Sequence, residues 1–156
     1  MKVYLHITGV AMVITFCGHA HYSASEEHEM CLLAFLEATV GDRDADMYFG
    51  GYGNFDRFSY NCGKKYKKNH PKVNLLLITP YINRPIYKED AYDGIIYPGI
   101  ECKPARFAII YRNRWMVENA DYVIAYVNHT YGGAYTTYQY AVKKRKHIYN
   151  LGKLQK

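Results

Sequence analysis

The chain has 156 residues, 49% hydrophobic and 22% charged, which fits one globular domain with a buried core and excludes a disordered or fibrous chain. Twenty basic residues against fourteen acidic ones leave a formal charge of +6, a balance that favours anionic partners: nucleotides, nucleic acid or acidic proteins. Cys17, Cys31, Cys62 and Cys102 show no CxxC spacing and no closely spaced histidines, so no metal and no disulfide framework is expected, and the thiols read as reduced and cytoplasmic.

The start, MKVYLHITGVAMVITFCGHAH, has a lysine and then an apolar stretch that His6 and Thr8 interrupt. A buried strand over 12–16 explains it better than a signal peptide, and residues 1–11 are an extension or an added edge strand. No stretch approaches a membrane-spanning length, so no membrane partner is expected. A helix follows from Ser23, with Ser23 and Glu26 as a capping box, Met30, Leu33, Ala34 and Phe35 or Leu36 on one face, and a stop near Gly41. DMYFGG (46–51) is a second strand ending in paired glycines, and the helix behind it ends in the lysines of KKYKK (64–68). KVNLLLITPY (72–81) is the third strand.

Residues 82–103 carry prolines, glycines and acids and read as a long loop. Pro104 opens a helix over ARFAIIYRNRWMVENA, DYVIAYVN (121–128) is strand four, and the glycine pair at 132–133 opens the last helix. HIYNL (147–151) is strand five. Strands that are continuously apolar and alternate with helices predict an α/β, Rossmann-like three-layer sandwich around a mostly parallel sheet of about five strands. The domain spans 12–151, with 152–156 as a C-terminal tail.

In such sheets ligands bind beyond the carboxyl ends of the strands, where strand order reverses. Four stretches fall at those ends or on the helix leading into them: CGHAH, FGGYGNFD, YRNRWM and YGGAYTT. Gly51, Gly53, Gly132 and Gly133 would let backbone N–H groups approach an anion, and Thr136 and Thr137 add hydroxyls in the next turn. Arg112 and Arg114 add charge and planar hydrogen bonding, with Arg112 suited to phosphate or carboxylate. Neither the dinucleotide fingerprint GxGxxG nor the GxxxxGK phosphate loop is present, so redox chemistry on a nicotinamide and ATP hydrolysis are not supported and no cofactor is expected.

These motifs together resemble the SLOG superfamily of Rossmann-like proteins, which includes the LOG phosphoribohydrolases, the DNA-processing proteins of natural transformation, and small bacterial and phage proteins carrying GH, GGxGxFD and RNxWM. The resemblance runs over roughly 12–151 and implies a nucleotide or nucleotide-derived ligand between the two glycine motifs. The enzymatic members carry a catalytic arginine four residues before a methionine, a position that Arg112 matches, and a glutamate inside PGGxGTxxE. Here Tyr131 stands for the proline, Tyr135 for the third glycine and Gln139 for the glutamate.

Cleaving an N-glycosidic bond needs a carboxylate to steady positive charge or activate water, and Gln139 supplies neither. Asp56 is the best placed substitute, ahead of Glu101 and Glu118, so Arg112 and Asp56 are the catalytic candidates and binding without turnover is the preferred reading. The ligand-binding set is Gly18, His19, Gly50, Gly51, Gly53, Phe55, Asp56, Arg112, Asn113, Arg114, Gly132, Gly133, Ala134, Thr136 and Thr137. Tyr52, Tyr131 and Tyr135 are the rings for base stacking, His21 flanks the same edge, and Trp115 reads as core. By resemblance, the protein senses or sequesters a nucleotide-derived signal in conflict between bacteria and phage, as a homo-oligomer. The alternatives are a phosphoribohydrolase and a DNA-binding protein, with weak nonspecific nucleic-acid affinity at most from KKYKK and KKRKH (143–147), whose lysines complement helix C-termini.

Overall fold

A computed structural model describes residues 11–86 and 88–154; the extension read over 1–11 lies outside the described residues apart from Ala11, as do residues 155–156 of the tail. In chain order the elements are β1 Met12–Gly18, α1 Glu26–Thr39, β2 Ala45–Phe49, α2 Asn54–Lys67, β3 Val73–Ile78, β4 Gly94–Ile96, α3 Ala108–Glu118, β5 Tyr122–Tyr126, α4 Gly132–Lys143 and β6 His147–Asn150. All neighbouring strands pair in parallel, in the order β4-β3-β2-β1-β5-β6. The α/β Rossmann-like expectation holds, with six strands instead of about five.

The added strand, β4, lies inside the stretch read as a loop. Three residues, Gly94, Ile95 and Ile96, are too few to show a period, and pairing with Leu76, Leu77 and Ile78 makes them a strand. Asp93 anchors its start, accepting from the Leu75 N–H at 2.8 Å while pairing with Lys67 at 2.7 Å.

Alternation along the strands sorts the core into two layers. Ile14, Phe16, Met47, Phe49, Val73 and Leu75 meet Leu32 and Leu36 of α1 and Phe55 and Phe58 of α2 on one face. On the other face, Val13, Tyr48, Leu76 and Ile78 meet Met116 of α3, and Cys17, Val123 and Ala125 meet Val117 and Ala141. Trp115 stacks on Tyr48 with ring centres 5.5 Å apart, the core role expected of it.

Two local readings of α1 shift. Its cap is Ser25, with extended backbone and a side chain accepting from the His28 N–H at 3.0 Å, not Ser23. The buried face also differs in part: Leu36 is buried and Leu33 and Phe35 pack on the core as expected, while Leu32 joins them, Met30 is 71% exposed and Ala34 faces outward. The lysines of KKYKK lie in and just after the last turn of α2, where Lys65 pairs with Glu29. Lys146 donates to the carbonyls of Glu118 and Ala120 at 3.1 and 2.9 Å, which ends α3 against the start of β6.

Candidate functional site

Strands β2, β3 and β4 step outward from β1 on one side, and β5 then lands on its other side. The loops leaving β1 and β5 diverge there and open a crevice. A cavity of about 550 Å³ occupies it. Its wall takes in Gly18 to His21 at the end of β1, Gly50 and Tyr52 after β2, Arg112 and Asn113 on α3, and His129 with Tyr131 to Ala134 at the start of α4. Phe55, Asp56 and Thr137 complete the predicted residues that line it.

The second glycine motif is built differently from the expectation. The Gly50 and Gly51 N–H groups donate to the two carboxylate oxygens of Asp56 at 2.9 and 3.0 Å. Those donors are therefore committed within the protein, and the anion role read for Gly51 is corrected. Gly51 and Gly53 do not line the cavity, and both have positive φ, 78° and 96°. A Cβ on Gly53 would stand 3.1 Å from the Ala20 Cα, and the next N–H, of Asn54, donates to the Ala20 carbonyl at 3.0 Å. These glycines thus shape the junction between the β1 and β2 loops. Gly18 serves a similar end: its absent Cβ leaves room for the Phe55 ring, which would otherwise lie 2.2 Å away.

Burial pushes the Asp56 carboxyl up to about 6, against the opposing pull of the Gly50 and Gly51 N–H groups and of Arg112. A carboxyl whose folded pKa exceeds its unfolded value, about 3.9, favours folding in its protonated form. Its contribution, up to about 3 kcal/mol, is fully present below about pH 4 and is lost as pH rises through about 6. Denaturant melts at pH 4.5 and 7.5 should therefore show a rise in stability on acidification that Asp56→Asn removes. A variant with the parent's full pH dependence would assign that rise to other groups.

Arg112 is 5% exposed. One terminal nitrogen, Nη1, donates to the carbonyls of Gly50 and Ile78 at 2.9 and 2.8 Å, and Nε donates to Asn113 Oδ1 at 2.8 Å. The guanidinium thereby satisfies carbonyls at the carboxyl ends of β2 and β3, where a parallel sheet leaves acceptors unpaired. Nη2 makes no hydrogen bond to another described residue.

The opposite wall is the start of α4. Tyr131 occupies the N-cap position without a capping side-chain hydrogen bond, so the first N–H groups of the helix are open. Gly132 has φ 88°, and a Cβ on Gly132 or Gly133 would meet nothing within 4 Å. The hydroxyls of Thr136 and Thr137 do not extend this donor array: they donate to the carbonyls of Gly132 and Gly133 at 3.1 and 3.0 Å.

Beside them three rings form a column that sequence reasoning missed. His19 stacks on His129 at 3.5 Å, and His129 stacks on Tyr131 at 3.8 Å. The Asn128 N–H donates to His19 Nε2 at 3.1 Å, so that nitrogen is unprotonated; burial, and then His129, hold the His19 pKa below its usual value. Asn150 on β6 fixes the base of this loop by bridging the Val127 N–H and carbonyl, both at 3.0 Å. A histidine directly after strand four, in the VNHT stretch, was the available signal for His129.

Several predicted residues lie elsewhere. Arg114 does not line the cavity; it sits between the rings of Tyr111 and Tyr140, at 5.6 and 5.2 Å. Thr136 and Tyr135 are also outside it, the latter accepting from Gln139 at 3.0 Å. Gln139, Glu101 and Glu118 stay away as well, which leaves Asp56 as the sole carboxylate lining the cavity among the described residues. The described residues bring no three metal-ligating side chains together and include no helix long and apolar enough to cross a membrane.

Sheet order and the cavity at the switch point define a Rossmann-like α/β fold with a ligand-sized crevice. Solved structures share the fold at low sequence identity. DNA processing protein A from Streptococcus pneumoniae matches over 90% of this chain with TM-score 0.63 and 12% identity. Its counterpart from Helicobacter pylori, described for its single-stranded DNA binding mode, matches over 89% with TM-score 0.61 and 16% identity. The molybdenum cofactor carrier protein of Chlamydomonas reinhardtii matches over 92% with TM-score 0.57 and 13% identity. The chain spans 50%, 64% and 77% of those three proteins, respectively. No protein-family model matches the sequence, and no curated protein matches it.

Proposed function

We propose that the protein binds a nucleotide-derived small molecule in the β1/β5 crevice and holds it without turnover. The observation that carries this reading is the pairing, in one cavity of about 550 Å³, of the open N–H groups of α4 with the exposed rings of Tyr131 and Tyr52. Open helix N-terminal N–H groups receive negative charge and exposed aromatic rings receive a base. The binding set is Gly18, His19, Gly50, Arg112, Asn113, Gly132, Gly133, Ala134, Thr137 and the two rings, with Phe55 as floor and Asp56 as the brace of the β2 loop. His129 joins them. As a cytoplasmic, homo-oligomeric protein of this kind, it would sense or sequester a nucleotide signal between bacterium and phage. Denaturing the purified protein and identifying the released small molecule by mass spectrometry tests the reading, and a released ligand without a nucleobase would sink it.

Asp56 favours one alternative, hydrolysis of a nucleotide, because a cavity carboxyl titrating near neutrality suits proton transfer. Both of its oxygens already accept backbone N–H groups, which favours the bracing role. Repeated turnover of nucleoside monophosphates or nucleotide sugars, abolished in Asp56→Asn, would establish hydrolysis instead.

Nucleic-acid binding is expected to be weak. Lys143 closes α4 and Lys144 lies over the Tyr140 ring at 5.5 Å, both solvated roles. Single-stranded DNA binding should vanish by roughly 200 mM salt and in Lys143→Gln/Lys144→Gln, with nucleotide binding intact. Tight binding at physiological salt that requires Gly133 would make the cavity the DNA site.

A further inference from the structure

The cavity's charges nearly cancel. Arg112 is the one lysine or arginine lining it, and Asp56, which interacts electrostatically with Arg112, is the one carboxylate, among the described residues. His19 adds no charge while its Nε2 accepts the Asn128 N–H. Face-to-face stacking with His129 at 3.5 Å also opposes charging both rings, since like charges that close repel strongly. Asp56 lies in the first turn of α2, so the positive end of that helix is already answered.

What remains positive is the uncapped start of α4, equivalent to roughly half an elementary charge; Nη2 of Arg112 adds a hydrogen-bond donor but no further net charge. Together these can answer at most about one negative charge. A phosphomonoester brings −1.5 to roughly −2 at neutral pH, and a triphosphate more. The α4 wall also offers a ring platform: one face of Tyr131 rests on His129, while the residue is 70% exposed. A planar base laid on the other face would continue the column.

We infer that the site selects a nucleoside-type ligand bearing no more than one negative charge, such as a nucleoside or a phosphodiester, and that Asp56 is the specificity-determining residue that rejects phosphomonoester dianions and polyphosphates. This rests on the nucleotide-binding reading above and deepens it.

The test is calorimetric titration at pH 7.5 of the full chain with adenosine, guanosine, cytidine and uridine, each as nucleoside, 3′,5′-cyclic monophosphate, 5′-monophosphate and 5′-triphosphate. For at least one base, the nucleoside or cyclic form should bind at least about tenfold more tightly than both 5′-phosphates. Asp56→Asn and Thr137→Lys each make the cavity one unit more positive, by independent routes, and each should shrink that preference at least about fivefold. Circular dichroism identifies a variant that fails to fold; Thr137 sits on the partly exposed side of α4, so Thr137→Lys decides if Asp56→Asn is lost. Triphosphates binding as tightly as nucleosides in the parent would overturn the charge selection and leave the nucleotide reading standing. A preference unchanged in the folded variants would remove Asp56 from the role. Absence of binding by all sixteen compounds overturns both readings.

Discussion

Arg112→Ala is expected to lower stability by about 4 kcal/mol, a loss far larger than the removal of one ligand contact. The substitution strips the Gly50 and Ile78 carbonyls of their shared donor and leaves Asp56 without its opposite charge. Buried acceptors left unpaired cost roughly 1–3 kcal/mol each, and the lost attraction between the guanidinium and the Asp56 carboxylate adds to that. In a domain of this size the melting temperature should fall by roughly 10 °C. Arg112→Lys keeps the charge but cannot reach two carbonyls while facing Asn113, so it should recover only part of the loss. An alanine variant melting within about 2 °C of the parent would contradict the structural role assigned to this arginine.

Gly133→Val should do the opposite: abolish ligand binding and leave the fold intact. A side chain at this position meets nothing within 4 Å, and its backbone lies outside the left-handed region, so neither clash nor strain is introduced. Valine would instead stand over the open N–H groups of α4 and fill space that the ligand needs. Gly132→Val is the control. At φ 88° it should lose about 1–2 kcal/mol of stability as well as binding. Thermal melts separate the two variants, and titration with the nucleoside series reads binding. A Gly133→Val protein that binds as tightly as the parent would move the site away from α4.

The layered α/β architecture was legible because its signals are local. Runs such as VITF and LLLI are apolar on both faces, which suits strands covered by helices on each side, and glycines mark where those strands end. The four motifs therefore point to one edge of the sheet, and His19, Asp56, Arg112 and Gly133 do line one cavity. What each group does there was not legible, because it depends on partners distant in the chain. Gly50 lies 62 residues from Arg112, and Asn128 lies 109 from His19. Read as sequence, Gly51 is a phosphate donor and Arg112 a ligand contact. Folded, the Gly51 N–H is held by Asp56, while Arg112 closes the ends of two strands. Arg114 reads like Arg112, two residues away, but on α3 this spacing turns it out of the cavity and between two tyrosines. Local pattern thus determined which edge of which fold carries the candidate site. Only tertiary packing decided which polar groups remain unpaired for a ligand, because a donor is available only after every closer acceptor in the fold has been served.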